Sequence, residues 1–398
     1  MSNRRRTCVA VIFGGRSVEH DVSIVTGHQI MGAFPKDEYE VVPVYISRDG
    51  AWYTGNPLLD LDSFANNDLL KVEGVASCLL SPDTRHHGLI VNPLAGRFSK
   101  SAVKRIDVAF PALHGTHGED GSLQGLLELA DLPYVGCATL GSALTNDKAM
   151  TKTVLRQAGV PVLDDIVFTR ESWLNQPGQV LDEIQQKLAL PLFIKPATLG
   201  SSIGISRAES LPLLRAGIDI AANFDRRIMV EPAIADGIEI NCSVIGFGDE
   251  FQASTLEQPL SWDEFLSYED KYLRGDEGMK SAERIIPAPV NDALTKRLQQ
   301  LSLRAFQAVD GRGIARIDFL VRPEQDELYL NEINTMPGSL ALYLWREEGL
   351  SPSQLVQSLV GLAREAHAEK RRNIYDYQTN LVSVASQRGI KGSKGVKS

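Results

Sequence analysis

The sequence has few of the features that mark several large classes of protein. It contains four cysteines, Cys8, Cys78, Cys137 and Cys242. They are dispersed and form no C-x-x-C pair, so we expect buried, reduced thiols and neither a zinc site nor a disulfide scaffold. No apolar run approaches the roughly 18 residues that a membrane-spanning helix needs. The apolar run at residues 8–13 is also too short for a signal peptide, which predicts a cytoplasmic protein.

The chain also lacks an excess of basic charge. It has 41 Lys and Arg against 50 Asp and Glu, a formal net charge of −9. Nucleic acids and anionic membranes attract proteins through basic surfaces, so we expect neither as a partner. With 43% apolar and 23% charged residues the composition is that of an ordinary globular protein. A length of 398 residues exceeds what one hydrophobic core usually holds and predicts two or three domains.

The first part of the chain has the pattern of a doubly wound, parallel α/β sheet. The apolar run TCVAVIFGG ends at a double glycine, a helical spacing continues to Pro35, and VVPVYIS is the next strand. The strand IDVAFPALHG and the amphipathic segment SLQGLLELADL repeat this order. A further helix is expected from about Ser142 to Ala158, ended by Gly159. Residues from about 56 to 104 have no sustained period and receive no assignment.

The later parts of the chain predict smaller α+β units. Strand-like segments DDIVFT, LPLFIKPA and RIMVEPAI surround a polar helix at about 179–188. Beyond Gly237, the strand IEINCSVIG is followed by a helix that carries Leu294, Leu298 and Leu301 on one face. We place the domains at 1–140, 141–236 and 237–372. The polar, glycine-rich tail at 373–398 is expected to be flexible.

Two strand-like segments close together, GIARIDFLV and ELYLNEINTMPGS, predict an antiparallel hairpin. The alternation of side chains places Arg316 and Asp318 on one face of the first strand, and Glu332 and Asn334 on one face of the second. If these faces coincide, Asp318, Glu332 and Asn334 converge as oxygen donors. Such a set suits Mg²⁺ bridging nucleotide phosphates better than zinc. The alternative is a solvated sheet face with a charge pair.

A second group of candidates is weaker when each residue is taken alone. In FIKPATLGSSIGIS, Lys195 ends a strand and a Gly/Ser loop follows that can cradle phosphates. The residue order is not that of a P-loop. Glu231 and Glu239 lie on successive strands and Lys148 lies on a helix. For each of these three, an ordinary surface charge is the simpler interpretation.

Two loops follow predicted strands at the sheet edge where open α/β sheets bind ligands. They are FGGRSVEHD, which contains Glu19, and ALHGTHGEDG, which contains His114. We expect both residues near a bound substrate. A zinc site made from His114, His117, Glu119 and Asp120 is an alternative, although the glycines among them leave its geometry open.

Seven segments resemble, in order and approximate spacing, those of the D-alanine–D-alanine ligases, members of the ATP-grasp superfamily. They are FGGRSVEHDVS, LHGTHGEDGSLQGLLEL, LTNDK, IKPATLGSSIG, YEDKYL, ARIDF and NEINTMPG. The resemblance runs from about residue 9 to about residue 365. It implies a three-domain ATP-grasp fold, of classes α/β and α+β, with ATP between the central and C-terminal domains. The implied reaction joins two D-alanines through an acylphosphate, for peptidoglycan precursors, with two Mg²⁺ or Mn²⁺ ions. The family also suggests a homodimer.

The resemblance further implies roles for individual residues. The nucleotide contacts would be Lys148, Lys195, Glu231 and Glu239. The ligands of the two metal ions would be Asp318, Glu332 and Asn334. The ammonium of the first D-alanine would bind Glu19, linked by hydrogen bonds to Ser201 and Tyr272, with His114 nearby. Arg316 and the backbone N–H of Gly338 would stabilise the oxyanion, and Lys271 would contact the carboxylate of the second substrate.

Two positions depart from the pattern of the family. Relatives have a serine five residues after the glycine of the NEINTMPG segment, and this chain has Tyr343 there. Either the Tyr343 hydroxyl or Ser339 is expected to hold the carboxylate of the second substrate, so this position bears on which substrate is used. Pro232 stands where many relatives have lysine. Because proline keeps its backbone C=O, we expect ATP binding to survive.

Two alternative functions stay open at this point. One is an ATP-grasp ligase with another acceptor, such as D-lactate, D-serine or a different amino acid. The other is a nucleotide-binding protein without turnover. Water would hydrolyse an acylphosphate, so the site must close during the reaction, and the segments at 200–204 and at about 257–282 are candidate lids.

Overall fold

The computed structural model describes residues 5–65, 69–94, 100–260, 284–377 and 379–388. The strands in these ranges form three sheets that follow one another along the chain. Within the same ranges, none of the helices combines the length and the apolar character needed to cross a membrane. All four cysteines are buried and free, as expected.

The first sheet has seven strands, in the order β6-β5-β4-β3-β2-β1-β7. They are β1 (Thr7–Gly14), β2 (Tyr39–Ile46), β3 (Trp52–Thr54), β4 (Ala76–Leu80), β5 (Gly88–Val91), β6 (Ala102–Arg105) and β7 (Val108–Pro111). Strand β1 pairs in parallel with β2 and β7, as predicted. The segment without a sustained period adds β4 to β6, and β3 lies just before it; all four strands pair antiparallel. These strands are short, and three 3₁₀ turns at 56–71 interrupt any regular spacing.

Helices cover both faces of the parallel strands, so the sheet is doubly wound as expected. These helices are α1 (His20–Ala33) and α2 (Ser122–Leu129). The α1 side of β1 buries Val9 and Val11, and the α2 side buries Ala10 and Ile12. A strand covered on both faces is apolar at every position, which explains the continuous run in the sequence.

The helix expected at 142–158 is two helices, α3 (Thr139–Asn146) and α4 (Lys148–Gln157). The backbone is extended at Asp147, with a ψ of 103°, and its carboxylate accepts hydrogen bonds from the N–H groups of Ala149 and Met150. An aspartate in this position is a preferred helix N-cap. The apolar period continues through both helices, which is why the break is not visible in the periodicity.

The central sheet is antiparallel, in the order β10-β9-β11-β8. Its strands are β8 (Ile166–Thr169), β9 (Leu192–Pro196), β10 (Ser206–Ala208) and β11 (Arg227–Pro232). Its helices are α5 (Arg170–Asn175), α6 (Pro177–Lys187) and α7 (Leu211–Phe224). The predicted strands and the predicted polar helix, here α6, are confirmed.

The third sheet is also antiparallel, in the order β14-β13-β12-β15-β16. Its strands are β12 (Ile238–Phe247), β13 (Glu250–Pro259), β14 (Arg284–Ile285), β15 (Gly313–Arg322) and β16 (Glu327–Asn334). The remaining helices are α8 (Asp292–Ala308), α9 (Leu342–Glu347), α10 (Pro352–Lys370) and α11 (Leu381–Arg388). Helix α8 buries Leu298 and Leu301 against the apolar face of this sheet, as predicted.

Helix α10 packs against strands from both the first and the third sheet. Its Leu355 and Leu359 belong to the same apolar cluster as Val11 of β1 and Ile314 of β15. One core therefore joins the first and third sheets, which fixes the loops after β1 and β7 beside the polar face of the third sheet. Helix α11 falls within the segment expected to be a flexible tail, and residues 389–398 lie outside the described ranges.

Candidate active site

A row of polar side chains crosses one face of the third sheet. Glu257 of β13 lies opposite Asn241 of β12, Asn241 lies opposite Asp318 of β15, and Asp318 lies opposite Glu332 of β16. Residues directly opposite each other in antiparallel strands place their side chains on the same face. The predicted convergence of Asp318 and Glu332 is thus confirmed. The row continues to Glu257, a carboxylate that no motif in the sequence marks.

Arg316 and Asn334 form the next row and bind Asp318 from there. The guanidinium of Arg316 donates from Nε and from Nη2 to the two carboxylate oxygens of Asp318, both at 2.7 Å. The Asn334 amide donates to the same carboxylate at 2.8 Å. Burial, reinforced by Glu332, raises the pKa of Asp318, while Arg316 opposes the rise. A further cation beside Asp318 would therefore stabilise its ionised form.

The chemistry of this donor set fits Mg²⁺ or Mn²⁺. Asp318, Glu332 and Asn334 offer carboxylate and amide oxygens on one face, and hard cations prefer such ligands. Across the described part of the chain, no group of three or more His, Cys, Asp or Glu side chains is arranged to hold a metal ion. A metal ion at this face would therefore need ligands besides these carboxylates, such as the amide oxygen of Asn334 and oxygens of a substrate.

Two lysines of the central part of the chain reach β16. The Lys148 ammonium lies 3.7 Å from the Glu332 carboxylate and donates to the Leu199 carbonyl at 2.6 Å. The Lys195 ammonium donates to the Asn331 side chain at 3.2 Å. Asn331 is the extra residue at a β-bulge, where the register of β15 and β16 shifts after Asp318. Positive charge from the central part of the chain thus meets carboxylates of the third sheet, and we call this junction the cleft.

Glu231 is buried between two lysines, Lys195 and Lys152. Burial by itself raises the pKa of Glu231, but the two ammonium groups outweigh it and hold the pKa at about 2. Lys152 was not among the sequence candidates. The available signal was its position four residues after Lys148 on α4, which places both lysines on one face of that helix. Glu239 is exposed on β12, opposite Leu320.

Three loops meet at Glu19, which precedes α1. Its carboxylate is buried and accepts a hydrogen bond from the Ser201 hydroxyl. A Cβ atom added to Gly115 would lie 2.4 Å from this carboxylate, and one added to Gly200 would lie 3.4 Å away. Glycine at 115, where φ is +68°, is therefore needed both for the turn and for the close approach. The predicted pairing of Glu19 and Ser201 is present.

His114 is buried beside these loops, and its Nε2 lies 2.9 Å from the Thr26 hydroxyl. Burial, and to a lesser extent Arg316, lowers its pKa to about 4, against a hydrogen bond with the Met336 backbone. The histidine is neutral at pH 7. It therefore acts as a hydrogen-bonding group rather than as a cation.

The alternative zinc site is not assembled. Glu119 accepts hydrogen bonds from the backbone N–H groups of Gly115, at 2.7 Å, and Met336, at 3.1 Å. Asp120 accepts from the His117 N–H at 2.8 Å. These two carboxylates hold loop backbone instead of converging on a metal. Burial and the neighbouring Glu19 raise the pKa of Glu119.

The chain makes a left-handed turn directly after Gly338. The φ angles of Ser339, Leu340 and Ala341 are 51°, 54° and 46°. Non-glycine residues seldom adopt this conformation, and successive ones are rarer still. The turn brings Tyr343 to the polar row, where its hydroxyl donates to Glu257 at 2.7 Å. Burial raises the pKa of Tyr343, so the phenol keeps its proton.

Two of the predicted substrate residues, Lys271 and Tyr272, lie outside the described residues. All the other predicted positions are described. Of these, the structure groups Lys148, Lys195, Glu231, Arg316, Asp318, Glu332 and Asn334 around one cleft. Glu19 and Ser201 form the neighbouring group with His114.

Comparisons with known proteins show the family to which the chain belongs. The family model for the D-ala D-ala ligase N-terminus matches residues 8–137, and the model for the D-ala D-ala ligase C-terminus matches residues 154–361. The D-alanine–D-alanine ligase of Natranaerobius thermophilus is 38% identical over 93% of this chain and 98% of its own length. That of Chloroherpeton thalassium is 38% identical over 91% of this chain and 98% of its own length.

Solved structures show the same relationship. The VanG D-Ala:D-Ser ligase of Enterococcus faecalis has a TM-score of 0.77 at 30% identity, over 90% of this chain and 100% of that chain. The D-alanine–D-alanine ligase of Coxiella burnetii has a TM-score of 0.74 at 29% identity, over 96% of this chain and 100% of that chain. Because both family models and full-length relatives match, the chain belongs to the D-alanine–D-alanine ligase family of ATP-grasp enzymes.

Proposed function

We propose that this chain uses ATP to join two D-alanines into D-alanyl-D-alanine for peptidoglycan precursor synthesis. One observation carries the proposal beyond family membership. Lys148 and Lys195 reach across from the central sheet to β16, where Glu332 and Asn334 stand beside the paired Arg316 and Asp318. These cations and these carboxylate and amide oxygens support the proposal, because phosphoryl transfer needs positive charge and metal ligands around the phosphates.

The nucleotide phosphates would lie between the two lysines and β16. Asp318, Glu332 and Asn334 would hold two Mg²⁺ or Mn²⁺ ions, which supply positive charge to the phosphate oxygens. Glu231 and Glu239 would contact the base and ribose. Glu231 suits such a role because the lysine pair keeps it ionised and fixed in the cleft wall.

In the first step, the carboxylate of one D-alanine attacks the γ-phosphorus of ATP. The bond from this phosphorus to the bridging oxygen breaks, and ADP leaves with the electron pair. Glu19, held by Ser201, would bind the ammonium of this D-alanine and fix its orientation. Lys195 and Arg316 would offset the repulsion between the anions, which is the main barrier to the step.

In the second step, the ammonium of the other D-alanine loses a proton to solvent, and the resulting amine attacks the carbonyl of the acylphosphate. The nitrogen gives up a second proton to solvent as the C–N bond forms. The tetrahedral oxyanion would receive hydrogen bonds from Arg316 and from the backbone N–H of Gly338. It then collapses with loss of inorganic phosphate, which leaves the peptide bond. A single donor of this kind typically contributes a factor of about 10² to 10³ in rate.

The test is phosphate release from ATP with D-alanine alone, with products identified by mass. We expect D-alanyl-D-alanine, and no product from L-alanine. D-serine and D-lactate are tested as acceptors beside D-alanine, because a structurally similar protein is described as a D-Ala:D-Ser ligase. If phosphate release requires D-serine or D-lactate, that compound and not D-alanine is the second substrate. Absence of turnover with every acceptor would contradict the proposal.

A further inference from the structure

A three-residue cluster closes the polar row at the β13 end of the third sheet. Its members are Glu257 on β13, Arg284 on β14 and Tyr343 on α9. The carboxylate of Glu257 accepts from the Tyr343 hydroxyl at 2.7 Å and from Nη1 of Arg284 at 3.2 Å. The Arg284 guanidinium lies over the Tyr343 ring, 3.8 Å from its centroid. The three side chains thus bind one another in pairs, in a triangle.

The cluster combines a buried carboxylate with a partly exposed guanidinium. Glu257 is 3% exposed and also accepts from the Asn241 amide at 3.3 Å. The Arg284 side chain is 25% exposed. A guanidinium stacked on an aromatic ring is restricted in orientation, so little rotational freedom is left to lose when an anion binds it.

The position of the cluster matches the place where the second substrate must approach. Along the polar row, Glu332 at the β16 end faces the central-domain lysines and therefore the phosphates. Asp318, paired with Arg316, stands in the middle of the row, and Glu257 at the β13 end stands on the far side of Arg316. The amine attacks the carbonyl above or below its plane, so the leaving phosphate does not set the direction of approach. The carboxylate of an α-amino acid stays close to its amine and must therefore lie near Arg316. Since the proposed function gives the β16 end to the phosphates, the β13 end is the side that remains for this carboxylate.

The Tyr343 hydroxyl is poorly suited to bind the carboxylate of this substrate. A phenol has one hydrogen to donate, and here it goes to Glu257. If the hydroxyl donated to a substrate carboxylate instead, the buried Glu257 carboxylate would lose its hydrogen bond from Tyr343, which is costly in a buried site. The cation stacked on the same ring needs no such exchange, because a guanidinium can bridge two carboxylates.

We infer that Arg284 binds the carboxylate of the second substrate, and that Tyr343 and Glu257 are positioning residues that hold the guanidinium in place. The inference rests on the proposed function. It gives this chain an arginine at the acceptor subsite, and it assigns the aromatic residue at 343 the role of a stacking surface. The specificity that follows is for acceptors with a free carboxylate.

The experiment compares wild type with Arg284→Gln and Arg284→Lys, using three acceptors on the same acylphosphate. D-Alanine carries a carboxylate, D-alaninamide carries an uncharged amide in its place, and hydroxylamine carries neither. Losing a charge-assisted hydrogen bond costs about 1.5 to 3 kcal/mol, which is roughly a 10- to 150-fold change. We therefore expect Arg284→Gln to raise the KM of the second D-alanine about 10- to 150-fold. The KM of the first D-alanine and the hydroxamate yield should stay within about twofold.

Two further comparisons separate binding from positioning. The preference of wild type for D-alanine over D-alaninamide should largely disappear in Arg284→Gln and be partly retained in Arg284→Lys, which keeps the charge. Tyr343→Phe, which keeps the ring, should raise the second KM by less than about threefold, and Tyr343→Ala should raise it as far as Arg284→Gln does. The matched control is Arg297→Gln, which removes a surface arginine paired with Asp326 in the same domain.

The results distinguish this inference from the proposed function. Wild type that forms dipeptide, together with an Arg284→Gln variant whose second KM is unchanged, would overturn the inference alone. An equal rise in both KM values would also overturn it, because the arginine would then support the whole cleft. A large rise in the KM of the second substrate alone in Tyr343→Phe, with no change in Arg284→Gln, would show that the Tyr343 hydroxyl binds the substrate carboxylate. Wild type that forms neither dipeptide nor hydroxamate would reject both proposals.

Discussion

Arg316 and Asp318 stand two residues apart on β15, and the guanidinium of the first donates two parallel hydrogen bonds of 2.7 Å to the carboxylate of the second. Asp318 lies in the middle of the polar row and Arg316 beside it, with Glu332 toward β16 and the cluster of Glu257, Arg284 and Tyr343 toward β13. A forked, two-bond contact fixes the plane of the guanidinium. The position of the positive charge is therefore set before any substrate binds.

Arg316→Lys tests the value of that fixed plane. Lysine keeps the charge but cannot form the fork. We expect kcat to fall about 10²-fold or more, as for loss of one oxyanion donor, with the KM for ATP within about threefold. Steady-state phosphate release measures both constants. A rise in the ATP KM with kcat unchanged would place Arg316 in nucleotide binding instead.

Glu332→Gln tests the metal assignment. The substitution keeps the size of the side chain but removes a charge from the oxygen set, so the affinity for Mg²⁺ should drop. We expect phosphate release to be nearly abolished at about 1 mM Mg²⁺ and partly restored at higher concentrations. The matched control is Glu327→Gln, on the same strand as Glu332, which loses a partly exposed pair with Arg322 of β15. Near-normal turnover of Glu332→Gln at low Mg²⁺ would remove Glu332 from the metal site.

Removing Lys152 tests the buried pairing with Glu231. Lys152→Met leaves the Glu231 carboxylate with one cation in a buried site, and breaking such a pair typically costs about 3 to 5 kcal/mol. We expect a clear fall in the thermal midpoint and a weaker ATP affinity. Combining the change with Glu231→Gln should cost less than the sum of the single effects, because no uncompensated carboxylate is left. Additive losses in thermal unfolding would contradict this coupling.

His114 predicts a pH dependence of stability. Its pKa is about 4 in the folded protein, below the ordinary value of 6.5. The unfolded state therefore binds more protons below pH 6.5, and the stability that the neutral residue contributes above this pH is lost as the pH falls toward 4. Between pH 7 and pH 5 the loss is on the order of 2 kcal/mol. Denaturant unfolding of wild type and His114→Gln should show this difference in pH dependence, and parallel curves would refute the assignment.

The left-handed turn after Gly338 restricts which side chains position 341 can hold. Its φ is 46° and its side chain is fully buried. A β-branched residue is least compatible with this conformation, so Ala341→Val should destabilise by more than about 2 kcal/mol. Ala341→Gly should change stability by less than about 1 kcal/mol, since relief of strain offsets the entropy of glycine. Thermal midpoints of the two variants measure the contrast, and equal losses would show that packing alone decides this position.

Local pattern was sufficient for the elements that carry the chemistry. The alternation along GIARIDFLV and ELYLNEINTMPGS placed Arg316 with Asp318 and Glu332 with Asn334, and the hairpin register confirms it. The prediction of one helix at 142–158 was wrong at Asp147, which caps a second helix although the apolar period continues past it. The parallel strands around β1 were visible because a strand buried on both faces is apolar throughout.

The sequence by itself determined the order of strands and helices, the faces of the hairpin and the family, because side-chain alternation and motif order are local properties. Tertiary structure decided which distant residues meet. Glu231 contacts Lys152 from 79 positions away, and Tyr343 contacts Glu257 from 86 positions away. Such pairs depend on sheet register and on the left-handed turn after Gly338, and no periodicity along the chain encodes either. The shared core under helix α10 then holds these loops and strands together, because burying its apolar face requires both sheets.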